Sequence, residues 1–393
     1  AKTQAEATLA CVLPRNVEGR QVWGITCQLY SLRSCRNLGI GDFEDLSRLA
    51  EIGAAEGAAF LGVNPLHALF LADPGRCSPY SPSTRRFLNP LYIAVDKLVG
   101  AEDVIAAARH EEPEAFKLNE RELVDYAIVS SLKVEILRRI FDALPNSSIE
   151  RGEFGQFRQK NGETLRSFAL FEALSAEEVK AGGQAGWRRW PTDLQNRNSQ
   201  AVMRFEATHE QDIRFYEWLQ FIADRQLGEA QTRARRAGMR IGLYLDFAVG
   251  VAPDGAETWI DSELAVRNAR VGSPPDMYNS EGQDWGLAPL SPQVLAAKRY
   301  MPLADSYQAL MKHAGAVRID HAMGLARLWW IPAGGKAVTG GYVQYSLGAM
   351  IDTLVKASRE NDVIVIGEDL GTVPGGFRPV MEAANILSYR VLY

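Results

Sequence analysis

Val317-Arg318-Ile319-Asp320-His321 and, further along, Val365-Ile366-Gly367-Glu368-Asp369 are two short aliphatic runs that each end abruptly in a carboxylate. Buried parallel strands read as continuous apolar runs, and in α/β barrels the residues just past their C-terminal ends do the chemistry. Two such strands, each delivering an acid, point to a carboxylate pair on one rim. Asp246 closes a third run, Leu243-Tyr244-Leu245-Asp246, and would converge on the same rim. Any one of these acids alone reads as readily as a helix cap; three on successive strands favour a site.

Working outward, strands are predicted over 23–29, 59–63, 241–247, 316–319, 363–367 and 388–393. Asp42 reads as the N-cap of the first crossover helix, with Phe43, Leu46, Leu49 and Ile52 on one face. Far more chain separates the second and third strands than the usual connection of about 2–6 residues. Helical periodicity fills that gap. Residues 122–144 place Leu123, Tyr126, Ala127, Leu137 and Ile140 in a stripe, 164–179 carry Leu165, Phe168, Phe171 and Leu174, and 215–237 feed the third strand. The expected division is therefore 1–20 as an N-terminal segment, 21–95 with strands one and two, 96–238 as an inserted helical subdomain, and 239–393 with strands three to six. Within the last part, 251–299 is rich in Gly and Pro, carries Trp259 and Trp285, and reads as a loop covering the site.

Composition narrows the partners. With 393 residues, 47% of them apolar, the chain can bury a large core. Its formal charge of −5 and the lack of long basic runs exclude nucleic acid and anionic membrane as natural partners. No apolar window reaches the roughly 18 residues that span a bilayer, and the start at Ala1-Lys2-Thr3 has no leader pattern, which predicts a cytoplasmic protein. Cys11, Cys27, Cys35 and Cys77 show neither CxxC spacing nor a nearby His pair, so reduced thiols are expected rather than a metal site or disulfides.

If the pair acts on a glycosidic bond, one carboxylate attacks or activates water while the other protonates the leaving oxygen. Retaining enzymes hold the two about 5–5.5 Å apart, inverting ones about 6.5–9.5 Å. Arg318, two residues before Asp320, projects to the same strand face and would keep that carboxylate ionised, as a nucleophile requires. Glu368 follows a purely aliphatic run, where desolvation suits it to be the acid.

Arg318-Ile319-Asp320-His321, Gly367-Glu368-Asp369-Leu370-Gly371-Thr372-Val373-Pro374 and Leu243-Tyr244-Leu245-Asp246-Phe247-Ala248-Val249-Gly250-Val251 together resemble the 4-alpha-glucanotransferases, or amylomaltases, of glycoside hydrolase family 77. Gln28-Leu29-Tyr30-Ser31-Leu32-Arg33, Arg36-Asn37-Leu38-Gly39-Ile40-Gly41-Asp42-Phe43, Ser78-Pro79-Tyr80-Ser81-Pro82, Pro274-Pro275-Asp276 and Gly282-Gln283-Asp284-Trp285-Gly286 follow the same pattern. The resemblance implies a (β/α)8 TIM-type barrel, here cut off after its sixth strand, with the helical insertion between strands two and three. It implies Asp320 as nucleophile, Glu368 as general acid and then base, and Arg318 orienting Asp320. Asp246, His321, Ser78 and Tyr80 would touch the sugar at the scissile bond, and Trp285 would stack on an acceptor-side glucose. Trp329 and Trp330 are expected in core packing. The implied substrates are maltooligosaccharides, glucose and starch- or glycogen-derived glucans, with no cofactor and no metal. The family also uses an Asp in a Thr-His-Asp motif, which does not occur here, so these 393 residues alone are expected to be inactive. An α-glucan hydrolase of the same clan, a non-catalytic glucan-binding protein, and a barrel lyase or isomerase with Asp246, Asp320 and Glu368 on a divalent cation are the competing readings. Arg318 opposes the last, since a guanidinium disfavours a neighbouring cation.

Overall fold

The computed structural model describes residues 10–15, 17–144, 149–277 and 279–391. Parts of the expected N-terminal segment and of the sixth strand, at 1–9 and 392–393, lie outside the described residues. Six parallel strands form one sheet in chain order: β1 (Gly24–Cys27), β2 (Phe60–Val63), β3 (Gly242–Phe247), β4 (Ala316–Ile319), β5 (Ile364–Gly367) and β6 (Leu387–Ser388). Register does much of the positioning. Asp246 pairs with Arg318 and Phe247 with Ile319, which also pairs with Gly367, so Asp320 and Glu368 leave the sheet at one level. At Gly367 a Cβ would sit 2.5 Å from Met381 Cε and 3.0 Å from the Ala322 Cβ. A side chain here would have to displace the Met381 methyl and press on Ala322, so glycine suits the close packing at the end of β5.

Helix α1 (Phe43–Ala55) begins at Asp42, the expected N-cap, and the structure adds a reciprocal capping box: the Asp42 side chain accepts from the Glu44 and Asp45 amides, and the Asp45 side chain accepts from the Asp42 amide. Its buried face differs from the sequence expectation. Phe43, Leu46, Ala50 and Gly53 are buried, whereas Ile52 is 63% exposed. Nine residues at about 100° each place Ile52 half a turn from Phe43. A similar correction applies to α2 (Tyr126–Ala143), which starts at the Asp125 cap, beyond Leu123. Leu123 and Ala127 are exposed, and Val129, Leu132, Ile136, Leu137 and Ile140 make the packed face. In α3 (Ile149–Lys180), broken at Gly162 where φ is 50°, Leu165, Phe168, Phe171 and Leu174 are all buried as expected.

Helix α4 (Glu210–Arg236) packs on α1, α3 and β3, so it covers the sheet directly. Residues 251–299 are more ordered than a loop. Ala269–Ser273 and Gln283–Leu287 join Arg327–Pro332 and Gly341–Gln344 in a four-stranded antiparallel sheet that roofs the strand ends. Its Gly-rich composition conceals strands because a register shift at Val271/Gly272 and turn glycines break the alternation. His67–Ala68 and Thr84–Leu88 form a separate antiparallel hairpin, whose second strand packs on the helix at Met301–Met311.

Candidate active site

Three strand ends and two connecting loops build the site. Arg318, on β4, reaches sideways and forward: Nη1 donates to both oxygens of Asp246 at 2.9 and 3.0 Å, and Nη2 lies 2.6 Å from Asp320 Oδ1. Tyr80, from the hairpin loop, donates its hydroxyl to Asp246 Oδ2 at 3.0 Å. The ladder continues past the strands, with the Asp320 amide donating to Phe247 O and the Glu368 amide to Ile319 O. His321 then takes a left-handed conformation with φ 46°, strained for a non-glycine residue, which aims its own amide at Glu368 Oε2 3.1 Å away. The Leu370 amide donates to Glu368 Oε1 at 2.8 Å. Trp285, from the roof, meets the His321 ring edge-on with centroids 5.2 Å apart.

Ser78, Tyr80, Trp285, Asp320, His321 and Glu368 line one cleft of about 350 Å³, together with Ser81, Val249 and Leu287. Asp246 and Arg318 line an adjoining polar recess of about 300 Å³, which Tyr80 shares. All eight residues singled out from the sequence thus meet across two connected walls. Trp329 lines neither: its Nε1 donates to Ala337 O at 3.0 Å within the roof. Tyr389 was not foreseen. It stands over Arg318, 5.7 Å from guanidinium to ring centroid, and lines the polar recess. The sequence places it within the sixth strand, expected over 388–393, whereas the described strand ends at Ser388 and Tyr389 follows it.

The electrostatics depart from the simplest expectation. Burial pushes the Asp320 carboxyl above its ordinary value, and Arg318 pulls it only part of the way back. Burial likewise raises Asp246 to about 6, against the pull of Arg318 and with the push of Asp320. Sequence spacing revealed the guanidinium but not the desolvation it must offset. Burial holds the His321 imidazole below its usual value, with Glu368 opposing. Glu368 is half-buried and spends both oxygens on backbone N–H donors.

Among the described residues no group of three or more His, Cys, Asp or Glu side chains is placed to hold a metal ion, and the four cysteines are unpaired. No helix there is long and apolar enough to cross a membrane.

Comparison with known proteins converges on one family. Residues 27–393 match the family described as 4-alpha-glucanotransferase. The 4-alpha-glucanotransferase of Haemophilus influenzae is 39% identical over 97% of this chain and 56% of its own length. That of Mycobacterium bovis is 38% identical over 97% of this chain and 53% of its own. The crystal structure of amylomaltase from Corynebacterium glutamicum superposes with a TM-score of 0.82 at 34% identity, covering 93% of this chain and 50% of that one. Amylomaltase from Streptococcus agalactiae, solved in complex with acarbose, shares the fold at TM-score 0.79 and 19% identity, over 94% of this chain and 73% of that one. The chain spans about half the length of the curated relatives it matches. With its parallel sheet fitting the TIM-type fold and its sequence matching from residue 27 onward, the chain belongs to the 4-alpha-glucanotransferase family.

Proposed function

We propose that this protein moves a 1,4-alpha-glucan segment from a donor maltooligosaccharide to the 4-hydroxyl of an acceptor glucan or glucose, by a retaining double displacement. The supporting observation is that Asp320 and Glu368 leave neighbouring strands at one level and open on one cleft that Trp285 and Tyr80 also line. In the first step an Asp320 oxygen attacks the anomeric carbon while Glu368 gives its proton to the glycosidic oxygen. The C–O bond breaks, the acceptor-side sugar leaves with that proton, and a glucosyl ester forms on Asp320. In the second, Glu368 takes the proton of an incoming 4-hydroxyl, whose oxygen attacks the same carbon and frees Asp320. Arg318 holds Asp320 and Asp246 side by side, and Asp246, Tyr80, Ser78 and His321 hold the reacting sugar. The Trp285 face takes an acceptor glucose, its apolar ring matching the C–H surface of a pyranose. Bonds of like kind are broken and remade, so the step needs no cofactor.

On the same reading the six strands are consecutive strands of an eight-stranded barrel with 96–238 inserted, and the protein works in the cytoplasm on starch- or glycogen-derived glucans. The family's third carboxylate, in Thr-His-Asp, is not among these 393 residues, so this stretch alone is expected to bind maltooligosaccharides without redistributing them. The deciding assay therefore uses the natural polypeptide. Maltotriose should yield a ladder of longer glucans together with glucose. Shorter sugars alone would instead establish a hydrolase, and binding without any product a glucan-binding protein.

A further inference from the structure

The hairpin that carries Ser78 and Tyr80 on its loop has a second hold on the site. Arg85, on its returning strand, is buried against Glu257, with side chains 3% and 7% exposed and Nη2 3.2 Å from Oε1. The Arg85 backbone N–H donates to Glu257 Oε2 at 2.9 Å. The same guanidinium donates through Nη1 to the carbonyls of Ala248 and Val249 at 3.3 and 3.2 Å, and lies 4.8 Å from the Phe247 ring centroid. The Ala248 amide points at His67 Nε2, 3.4 Å away, and the His67 ring meets Phe247 edge-on. Phe247, Ala248 and Val249 are the residues immediately after Asp246. One hairpin therefore holds both sides of the same contact: its loop brings Tyr80 to Asp246, and its strands grip the backbone that follows Asp246.

The charge states suit this role. Burial and then the Arg85 charge hold His67 down to about 3, so the imidazole stays neutral with one accepting nitrogen, and the Ala248 N–H facing Nε2 assigns that role to Nε2. Burial would push Glu257 up, but Arg85 and Arg86 outweigh it and keep the carboxylate below its ordinary value. A buried ion pair contributes little net stability compared with an apolar filling of the same space, and Arg85 Nε has no hydrogen-bond partner. A guanidinium fork does, however, fix direction more tightly than packing alone.

We propose that Arg85, braced by Glu257 and assisted by His67, is a positioning residue for the transfer reaction, fixing the turn at 247–249 and hence where Asp246 stands relative to Tyr80, Arg318 and Asp320. This rests on the transfer reading above and concerns groups that do not touch the sugar. A misplacement on the order of 1 Å at such a point lowers turnover by roughly 10²-fold.

Arg85→Lys keeps the charge and loses the fork. In the natural polypeptide its kcat on maltotriose should fall by roughly 10²-fold while KM stays within about threefold. His67→Leu should lower kcat by roughly tenfold, and His67→Gln, which restores an acceptor near Nε2, should recover most of it. Wild-type kcat per folded molecule in Arg85→Lys, or a loss carried by KM, overturns the proposal. If Arg85→Lys does not fold, the His67 pair decides, and equal losses in Leu and Gln overturn it. If the wild-type protein redistributes no maltotriose, the functional reading fails, and positioning is then judged by the carbon-13 titration of the Asp246 carboxyl. A titration midpoint that moves between wild type and His67→Leu supports positioning, and an unchanged one overturns it.

Discussion

Two arginine-centred clusters in this chain have the same ingredients and opposite uses. At the start of α1, Arg36 binds Asp42, lies 2.9 Å from Asp45 and reaches Asp96 at 2.5 Å. At the strand ends, Arg318 binds Asp246 and Asp320. What separates them is what the carboxylate oxygens still have to do. Asp42 serves two helix amides, and Asp45 serves an amide, Asn37 and Ser34. Lys133 seals that cluster from beneath, its buried ammonium donating to Leu91 O and Ile93 O at 2.7 Å each and pushed down to about 8 mainly by burial. Arg36 is 9% exposed and its two capping acids 3% and 6%, whereas Arg318 and Asp320 are each 19% exposed and Asp320 faces a cleft. Accepting from backbone does not by itself make an acid structural, since Glu368 accepts from two amides and still lines the cleft; Asp42 and Asp45 are structural because they are also almost fully buried among their partners. An acid left facing space is available for chemistry.

Substitution of one acid in each cluster should give opposite results. Asp320→Asn should lower transfer by at least about 10³-fold, because no other group can form the ester. Its denaturation midpoint should change little, since the substitution removes a carboxyl that burial already disfavours as an ion. Transfer that survives would remove Asp320 from the nucleophile role. Asp42→Ala should do the reverse. It deletes a helix cap and one of three partners of a buried guanidinium, at a cost of about 2–3 kcal/mol in denaturant unfolding. Activity per folded molecule should stay within about twofold. A tenfold fall in kcat would mean that the two clusters are coupled.

The comparison also shows how far the sequence could be read. The Asp42 cap and the strand-terminal acids were visible in the sequence, because both follow local rules of spacing, whereas the gathering of Asp45, Asp96 and Lys133 around the cap was not. Five strands of the parallel sheet were equally plain, since burial on both faces leaves continuous apolar runs, whereas the sixth, expected over 388–393, is only Leu387–Ser388 among the described residues, with Leu387 exposed. Other features were hidden for specific reasons. The phase of α1 was misread at Ile52 because residues three apart drift around a helix. The roof pairs Ala269–Ser273 with Arg327–Pro332, a long-range match that no local pattern encodes. Arg85 sits in Ser83-Thr84-Arg85-Arg86-Phe87, where nothing tells the buried arginine from its neighbour Arg86. The raised Asp320 carboxyl depends on how much protein surrounds it, which spacing does not report.

Asp246 gives the smallest but most direct test of that last point. Its carboxyl is raised from 3.8 to about 6, chiefly by burial. A carboxyl raised in the folded state binds more protons there than in the unfolded chain between those two values. Its contribution to stability is therefore fully present below about pH 4 and is lost as pH rises through about 6. Relative to Asp246→Asn, which cannot ionise, the wild-type protein should lose on the order of 2–3 kcal/mol across that window and then run parallel above it. Urea unfolding of both proteins at closely spaced pH would show this as a gap that changes only between about pH 4 and 6. A constant gap would mean that Arg318 fully offsets the desolvation of Asp246, and the Arg318 cluster would then be as electrostatically settled as the one around Arg36.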